Sequence, residues 1–426
     1  MAILLPTDTN MVLGPDAQAC DSRSLIFDKF ADPSAKEERR KTWFKRVVNL
    51  KPCSEKRHSW IRWLGKDGLG LKPEEILFAR LQSRLMVNMA GGVMENAGLC
   101  LDRFGMPHIP GSAVKGCARR MAIQNLLEAR ESKEAKDKLA TLLADITLVF
   151  GWGEQDWNDK KKDGRFISDL AYALGDQWPE VSKMARQYMT KASHFAGSVS
   201  FLPAYPHQLP ANDLELDIVT CHHPKYYEGK MSVALDTEEP NPVLFPAVAA
   251  GMVLQFAVLP LRCKRDSLSQ PANKLHVVAF EWLRQSLETF GLGAKTAAGY
   301  GWFDASEEFN GEFTGKLAQQ AAIEADKAAK KQRLAALMPD APWLEKFKTF
   351  AEAPRRGVIN QFSFDDEKFW PNKGELADER IQFSLLYFLL KIEPEFLAAD
   401  RANAKSKTAK ALAGLKRKFI SVAVPN

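Results

Sequence analysis

The order of apolar patterns along the 426 residues predicts an α+β protein built on a ferredoxin-like, RRM-like domain, with strand, helix, strand, strand, helix, strand in that order and long insertions between. Three observations carry this expectation. Leu85, Val87 and Met89 alternate with Arg84, Met86 and Asn88, as a half-buried first strand would. Amphipathic stretches starting at Gly111 and Lys274 supply two helices, and the unbroken apolar run from Met252 to Leu261 suits a central strand. Composition divides the chain into a basic, aromatic segment at 1–72, the core domain at 73–304 and a helical extension at 305–426.

Lys and Arg number 59 against 53 Asp and Glu, a formal charge of +6, which favours a polyanionic partner over an acidic-surface function. No apolar run approaches the ~20 residues that span a bilayer. The first residues lack a charged stretch followed by an apolar one, so the expectation is a soluble cytoplasmic protein with no membrane partner. The six cysteines include no Cys-x-x-Cys pair, which argues for buried thiols over a disulfide framework or zinc cage. Cys221, His222 and His223 are adjacent, and adjacent side chains diverge, so neither a metal nor a cofactor is expected.

Along the chain, residues 1–72 read as irregular. Arg39, Arg40 and Lys41, then Trp43, Phe44, Lys45 and Arg46, then Lys56, Arg57, His58, Trp60, Arg62 and Trp63 interleave cations with rings. That pattern suits single-stranded nucleic acid, and equally a surface helix whose rings plug into the core. Pro73-Glu74-Glu75 looks like a helix start, followed by the strand at Leu85–Met89, closed by Gly91-Gly92. Pro110-Gly111 then stops the extended chain, and Ser112 is placed to cap a helix reaching about Leu127. Ser112, Lys115 and Arg119 share one face from the positive end of that helix, a phosphate-seeking arrangement. Leu139, Leu142 and Leu143 continue as helix, and 151–165 looks like an exposed insertion. Gly197–Pro206 and Leu214–Thr220 read as strands, and Cys221–Gly229 as a polar loop. Past Asp304, Phe313–Met338 reads as a long solvated helix and Leu376–Leu390 as part of a small helical unit; from Arg401 on there are seven basic residues and no acid.

The most informative stretch joins the helix from Lys274 to an aromatic strand at Tyr300, Trp302 and Phe303. Phe280, Leu283, Leu287 and Phe290 line one helical face, and Gly291 stands at the position after the helix. Gly291, Gly293, Gly299 and Gly301 then surround Lys295 and Thr296, so that main-chain N–H groups, an ammonium and a hydroxyl can converge on an anion. Ala294 stands where a Walker A loop needs glycine, and the helix-to-strand order is the reverse of a dinucleotide fingerprint.

Together, Ile109–Arg119, Gly197-Ser-Val-Ser-Phe201 and Gly291–Gly301 resemble the RAMP superfamily of CRISPR effector proteins. Asp217–Gly229 and the Gly293-Ala-Lys-Thr296 form of the loop look like the sixth-subunit family of the type III-B Cmr complex. The resemblance covers roughly 80–304, departing from the superfamily pattern at Pro203 and Cys221. It implies a non-catalytic, RNA-binding subunit that caps the filament of backbone RAMP subunits near the 3′ end of the guide RNA, beside target RNA that another subunit cuts. On that reading Ser112, Lys115, Arg119, Gly291, Gly293, Lys295, Thr296, Gly299 and Tyr300 contact RNA. The alternative within the superfamily is a metal-independent endonuclease processing CRISPR precursor RNA, for which His58, His108, His194 and His222 are the available bases. A purely architectural subunit is a third reading.

Overall fold

The computed structural model describes residues 6–387 apart from 15–16, 33, 36, 53–62, 66–67, 89–97, 163–164, 189–193, 262–271, 336–340 and 346–377, and Phe419 beyond them. The chain divides into two units, Met1–Gly315 and Lys316–Asn426. In the second, α11 (Glu379–Tyr387) buries Phe383, whose ring packs on Phe419. The apolar run from Leu376 is thus helical where it is described, and most of the basic tail lies outside the described residues.

The first unit opens with α1 (Thr7–Leu13), α2 (Arg23–Asp28) and α3 (Glu37–Asn49), where irregular chain was expected. Ser22 caps α2 by accepting from the Leu25 N–H. On α3 the mix of cations and rings resolves into two faces: Phe44 and Val47 are fully buried, Arg39 and Lys45 are exposed, and Arg40 lies over the Phe44 ring. The core-plugging alternative is the one α3 adopts; the tract from Lys56 to Arg62 lies outside the described residues.

Pro73–Glu75 forms one 3-10 turn and hands the chain to β1 (Leu77–Leu81), so the expected helix is absent and the first strand comes earlier than the alternation at Leu85 suggested. The reason is burial: Leu77, Phe78, Ala79 and Leu81 are covered on both faces, which erases alternation. Leu85 makes a single bridge to Val248, and Met89 lies outside the described residues. Next come α4 (Gly111–Glu131), α5 (Lys136–Phe150), β2 (Gly151–Trp152), the short pair β3 (Lys161–Lys162) and β4 (Arg165–Phe166), α6 (Asp169–Leu174) and α7 (Trp178–Ala185). The segment at 151–165 is not wholly exposed, because Trp152 is buried and stacks on Phe195 at 4.6 Å. Short strands β5 (Phe195–Ala196), β6 (Val199–Phe201) and β7 (Tyr205–Pro206) lead to a long hairpin of β8 (Leu214–Cys221) and β9 (Asn241–Val248), whose connection holds α8 (Pro224–Tyr227). The apolar run from Met252 is split at Ala257 into β10 (Val253–Phe256) and β11 (Val258–Pro260), which pair in different sheets. The chain then forms α9 (Ala272–Thr289), β12 (Phe303–Asp304) and α10 (Glu307–Ala335).

Four strands pair antiparallel in the order β12-β1-β10-β7. Their inner face, with Leu77, Ala79, Leu81, Leu254, Phe256 and Phe303, shares one core with Val114, Ala118 and Met121 of α4 and Ala279, Leu283 and Leu287 of α9. The outer face is also covered. Phe313 packs on Phe78 at 4.9 Å, Asn310 Oδ1 accepts the Phe78 N–H at 2.9 Å, and Arg80 lies 5.0 Å from the Phe309 ring while pairing with Asp304 at 2.8 Å. The first turns of α10 therefore close it, and α10 begins at Glu307, earlier than the expected Phe313, with the Phe309 N–H donating to Ser306 Oγ.

Arg23 and Asp213 form a buried ion pair that ties α2 to the foot of β8, with Nη2–Oδ1 at 3.0 Å, and Arg23 Nε also donates to the Leu50 carbonyl at 2.6 Å. Removing Arg23 leaves the buried Asp213 carboxylate with only the longer contact to half-exposed Lys51, at 3.7 Å. Arg23→Ala is expected to cost roughly 3–5 kcal/mol, read by denaturant unfolding. A second stability effect comes from Asp145 on α5, whose buried Oδ1 has no hydrogen-bond partner and whose carboxyl is pushed up to about 6 by burial. The folded state holds this proton more tightly than the unfolded chain, so the contribution is full below about pH 4 and is lost as pH rises through the folded value. Asp145→Asn is expected to stabilise the protein at pH 7 by on the order of 2 kcal/mol, with no gain at pH 4, in the same unfolding assay.

Candidate nucleic-acid interface

The chain leaves α9 at Gly291 (φ +68°) and folds back on residues 84–86. Ala294 N–H donates to the Met86 carbonyl at 2.8 Å, Gly301 N–H to the Arg84 carbonyl at 2.7 Å, and Leu292 N–H to the Gly301 carbonyl at 2.8 Å. Three of the glycines make this approach possible, Gly291 among them with a Cβ position 2.6 Å from the Gly301 oxygen. A Cβ on Gly293 would lie 2.3 Å from the Met86 oxygen, and one on Gly301 would lie 1.9 Å from the Leu292 oxygen. Lys295, left-handed at φ +58°, starts the 3-10 turn Thr296–Ala298. With the loop drawn back in this way, the N–H groups of Gly293, Lys295, Thr296 and Ala297 have no acceptor among the described residues.

Side chains brace the loop from behind. Trp302 Nε1 donates to the Thr296 carbonyl at 3.0 Å. Tyr300 Oη donates to Asp217 Oδ2 at 2.6 Å, and the same oxygen accepts from Arg84 Nη1 at 3.1 Å. Arg84 Nε also donates to Glu215 at 2.6 Å. Burial and the Asp217 carboxylate push the Tyr300 phenol up to about 12, so it stays a protonated donor that ties the loop to β8.

In front of the loop lies a cleft of about 410 Å³, bounded by Gly291–Ala294 and Thr296, by Val87 and Asn88, and by Ala113, Gly116, Cys117 and Arg120 of α4. The structure thus brings Gly291, Gly293 and Thr296 to one surface. Lys295 is half-buried, with Nζ 5.9 Å from the Phe245 ring centre and no carboxylate partner among the described residues. Gly299 is exposed at the end of the turn, and Tyr300 is committed to Asp217.

The α4 residues divide differently from expectation. Ser112 is exposed and makes no capping bond. Lys115 and Arg119 line a separate cleft of about 670 Å³ between α4, β2, β5 and the start of α6. There Arg119 is held by both oxygens of Asp169 and by Asp156 at 3.2 Å; burial works against its charge, but these carboxylates raise its pKa. Burial, and Arg119 beside it, lower that of Lys115. The cation that faces the glycine loop is Arg120, exposed, with its guanidinium 4.1 Å from the centre of the Phe290 ring. Sequence reasoning missed it by one step of helical phase. The available signal was Ala113, Gly116 and Arg120, two small residues and a cation at i, i+3 and i+7; a Cβ on Gly116 would meet nothing within 4 Å. Asn88 was also missed. Cys117 is structural: it contacts Ser286 Oγ of α9 at 3.2 Å, and burial pushes its thiol up to about 11.

The histidines form no comparable arrangement. His108 is half-buried, stacks on Tyr205 at 5.2 Å and sits 3.5 Å from Cys100 Sγ; burial lowers its pKa and pushes the Cys100 thiol up to about 11, so both are neutral near pH 7. His194 and His222 are exposed, and His58 lies outside the described residues. No helix among the described residues is long and apolar enough to cross a membrane.

The RAMP superfamily model matches residues 63–304, a span that includes the start of α4, the glycine loop and all four strands of the main sheet. The chain belongs to the RAMP superfamily. It is similar to the CRISPR system Cmr subunit Cmr6 of Pyrococcus furiosus, 30% identical over 233 residues, which are 52% of this chain and 65% of that protein's length. Among solved structures, a chain of the type III-B Cmr-beta complex bound to cognate target RNA aligns with a TM-score of 0.36 at 16% identity, covering 65% of this chain and 77% of that one. The crystal structure of Cmr6 from Pyrococcus furiosus aligns with a TM-score of 0.28 at 21% identity, covering 54% and 97%.

The close approach of this RAMP protein's loop can be tested without RNA. Gly301→Ala combines a left-handed backbone with a main-chain clash and is expected to cost more than about 2 kcal/mol. Gly299→Ala has the same backbone strain but open space, and is expected to cost about 1 kcal/mol. Equal losses in denaturant unfolding would contradict the packing account.

Proposed function

We propose that this RAMP protein is a non-catalytic RNA-binding subunit of a type III-B CRISPR (Cmr) effector ribonucleoprotein, acting in the cytoplasm at the end of the backbone filament near the 3′ end of the guide RNA. The observation that carries the RNA reading is the cleft: Gly293 and Thr296, whose main-chain N–H groups have no acceptor among the described residues, line it together with Arg120, and no carboxylate does. Unpaired N–H groups beside a fork of charged donors suit a phosphate. The similarity to Cmr6 supports the choice of complex.

The strand order β12-β1-β10-β7, with α4 and α9 on one face, supports reading the domain as ferredoxin-like with insertions. An RRM stacks bases on its open sheet face. Here Phe309 and Phe313 occupy that face, so the RNA path runs over the rim formed by the glycine loop and α4. Along this path Gly291, Gly293, Thr296 and Arg120 form the phosphate site, with Lys295, Gly299 and Ser112 flanking it. Lys115 extends the path across α4, while Arg119 acts by holding Asp156 and Asp169 in place. Tyr300 fixes the loop. The non-catalytic reading is supported by the composition of the cleft, whose lining includes neither a histidine nor a carboxylate to serve as a general base, and by the position of His108, which stacks on Tyr205 and lies outside that lining.

Arg120→Ala and Lys295→Ala are each expected to weaken RNA binding regardless of sequence and to lower the salt slope by about one ion, measured by titrating RNA at several salt concentrations. Arg119→Ala is expected to lower thermal stability with a smaller change in slope. Unchanged affinity and slope in both Arg120→Ala and Lys295→Ala would sink the assignment.

A further inference from the structure

The cleft holds two side chains that phosphate binding does not use. Asn88 and Thr296 both line it, and neither side chain makes a hydrogen bond among the described residues. The Thr296 carbonyl is taken by Trp302, but its hydroxyl is not, and its methyl would lie 3.3 Å from a Cβ on Gly291. The backbone around them is held in unusual geometry. Among the described residues four non-glycine positions have positive φ, and two of them, Asn88 at +64° and Lys295 at +58°, flank this cleft. Left-handed backbone at non-glycine positions persists where surrounding structure enforces it, commonly at binding sites.

An amide and a hydroxyl each both donate and accept, whereas a phosphate oxygen only accepts. Donors alone would serve a phosphate, and the loop N–H groups with Arg120 already supply them. The group on a nucleic-acid backbone that also both donates and accepts, and lies within one sugar of each phosphate, is the ribose 2′-hydroxyl. Resting on the phosphate site proposed above, we propose that Asn88 and Thr296 bind the 2′-hydroxyl next to that phosphate, so that this cleft selects RNA over DNA.

The test compares, in each of two unrelated base sequences, three oligonucleotides, all RNA, all DNA, and RNA 2′-O-methylated throughout, bound to the full chain and to its Asn88→Ala, Thr296→Val and Arg120→Ala variants. The wild type is expected to favour RNA over both others. Asn88→Ala and Thr296→Val are each expected to lower RNA affinity about 5- to 10-fold, the scale of one lost hydrogen bond, with DNA affinity and salt slope unchanged. Arg120→Ala should weaken RNA and DNA alike. Thr296→Val preserves shape, and melting curves of each variant exclude loss of fold as the cause. Equal binding of RNA and DNA by the wild type, or equal loss on both in the Asn88 and Thr296 variants, overturns the 2′-hydroxyl assignment. So does a loss that depends on base sequence, which would assign the pair to a base edge. An Arg120→Ala variant that binds RNA as the wild type does would overturn the phosphate site itself, a different result.

Discussion

Two carbonyl oxygens, those of Arg84 and Met86, hold the glycine loop against the chain that leaves the central strand, and the site depends on how closely main chain meets main chain there. Backbone contact this close excludes a side chain at Gly293 and Gly301. It also determines which amides are spent inside the loop and which remain on its surface. Because the loop starts at the C-terminus of α9 and ends at β12, the contact couples the core helix, the sheet edge and the anion-seeking surface in one short stretch.

The charges around the loop are sorted by role. On its rear side Arg84 is neutralised by Glu215 and Asp217, and Tyr300 joins the same carboxylate, so that side is a brace linking the loop to the β8–β9 hairpin. On α4 two adjacent arginines divergently serve the fold and the surface. Arg119 spends its guanidinium on Asp169 and Asp156, while Arg120, one residue on, lies on the Phe290 ring with its donors open to the cleft. With α10 closing the outer face of the sheet, the loop rim is where the fold leaves unsatisfied donors beside an uncommitted cation.

Much of this was legible in the sequence, for identifiable reasons. The helix ending at Gly291 and the turn after it carry strong signals, a periodic apolar face and glycines at fixed spacing; the helix stands as read and the four glycines take left-handed backbone, while the aromatic strand expected at Tyr300, Trp302 and Phe303 is reduced to Phe303–Asp304. The hairpin strand from Leu214 also stands, paired with β9 along its whole length, although the alternation does not carry into burial: Ile218 is exposed and Val219 packs beside Met86, Phe245 and Ala247. The central strand Leu77–Leu81 was hidden because burial on both faces removes alternation and because Pro73-Glu74-Glu75 imitates a helix start. The choice between Arg119 and Arg120 turned on a rotation of about 100°, one residue of helix, and on acids 37 and 50 residues away that a local pattern does not reveal. Asn88 carried no signal, since its left-handed backbone is imposed by tertiary structure.

The central claim is that RNA crosses the rim formed by the glycine loop and the start of α4, and not the sheet face. The most direct test is ultraviolet crosslinking of RNA to the full chain in complexes purified from its host, with crosslinked residues read by mass spectrometry. Crosslinks clustered between Ser112 and Arg120 and between Gly291 and Gly299, with protection of Phe78, Phe309 and Phe313, are the predicted result. Crosslinks concentrated on Phe78 and Phe313 would contradict the account, because they would require α10 to leave the sheet and RNA to take its place.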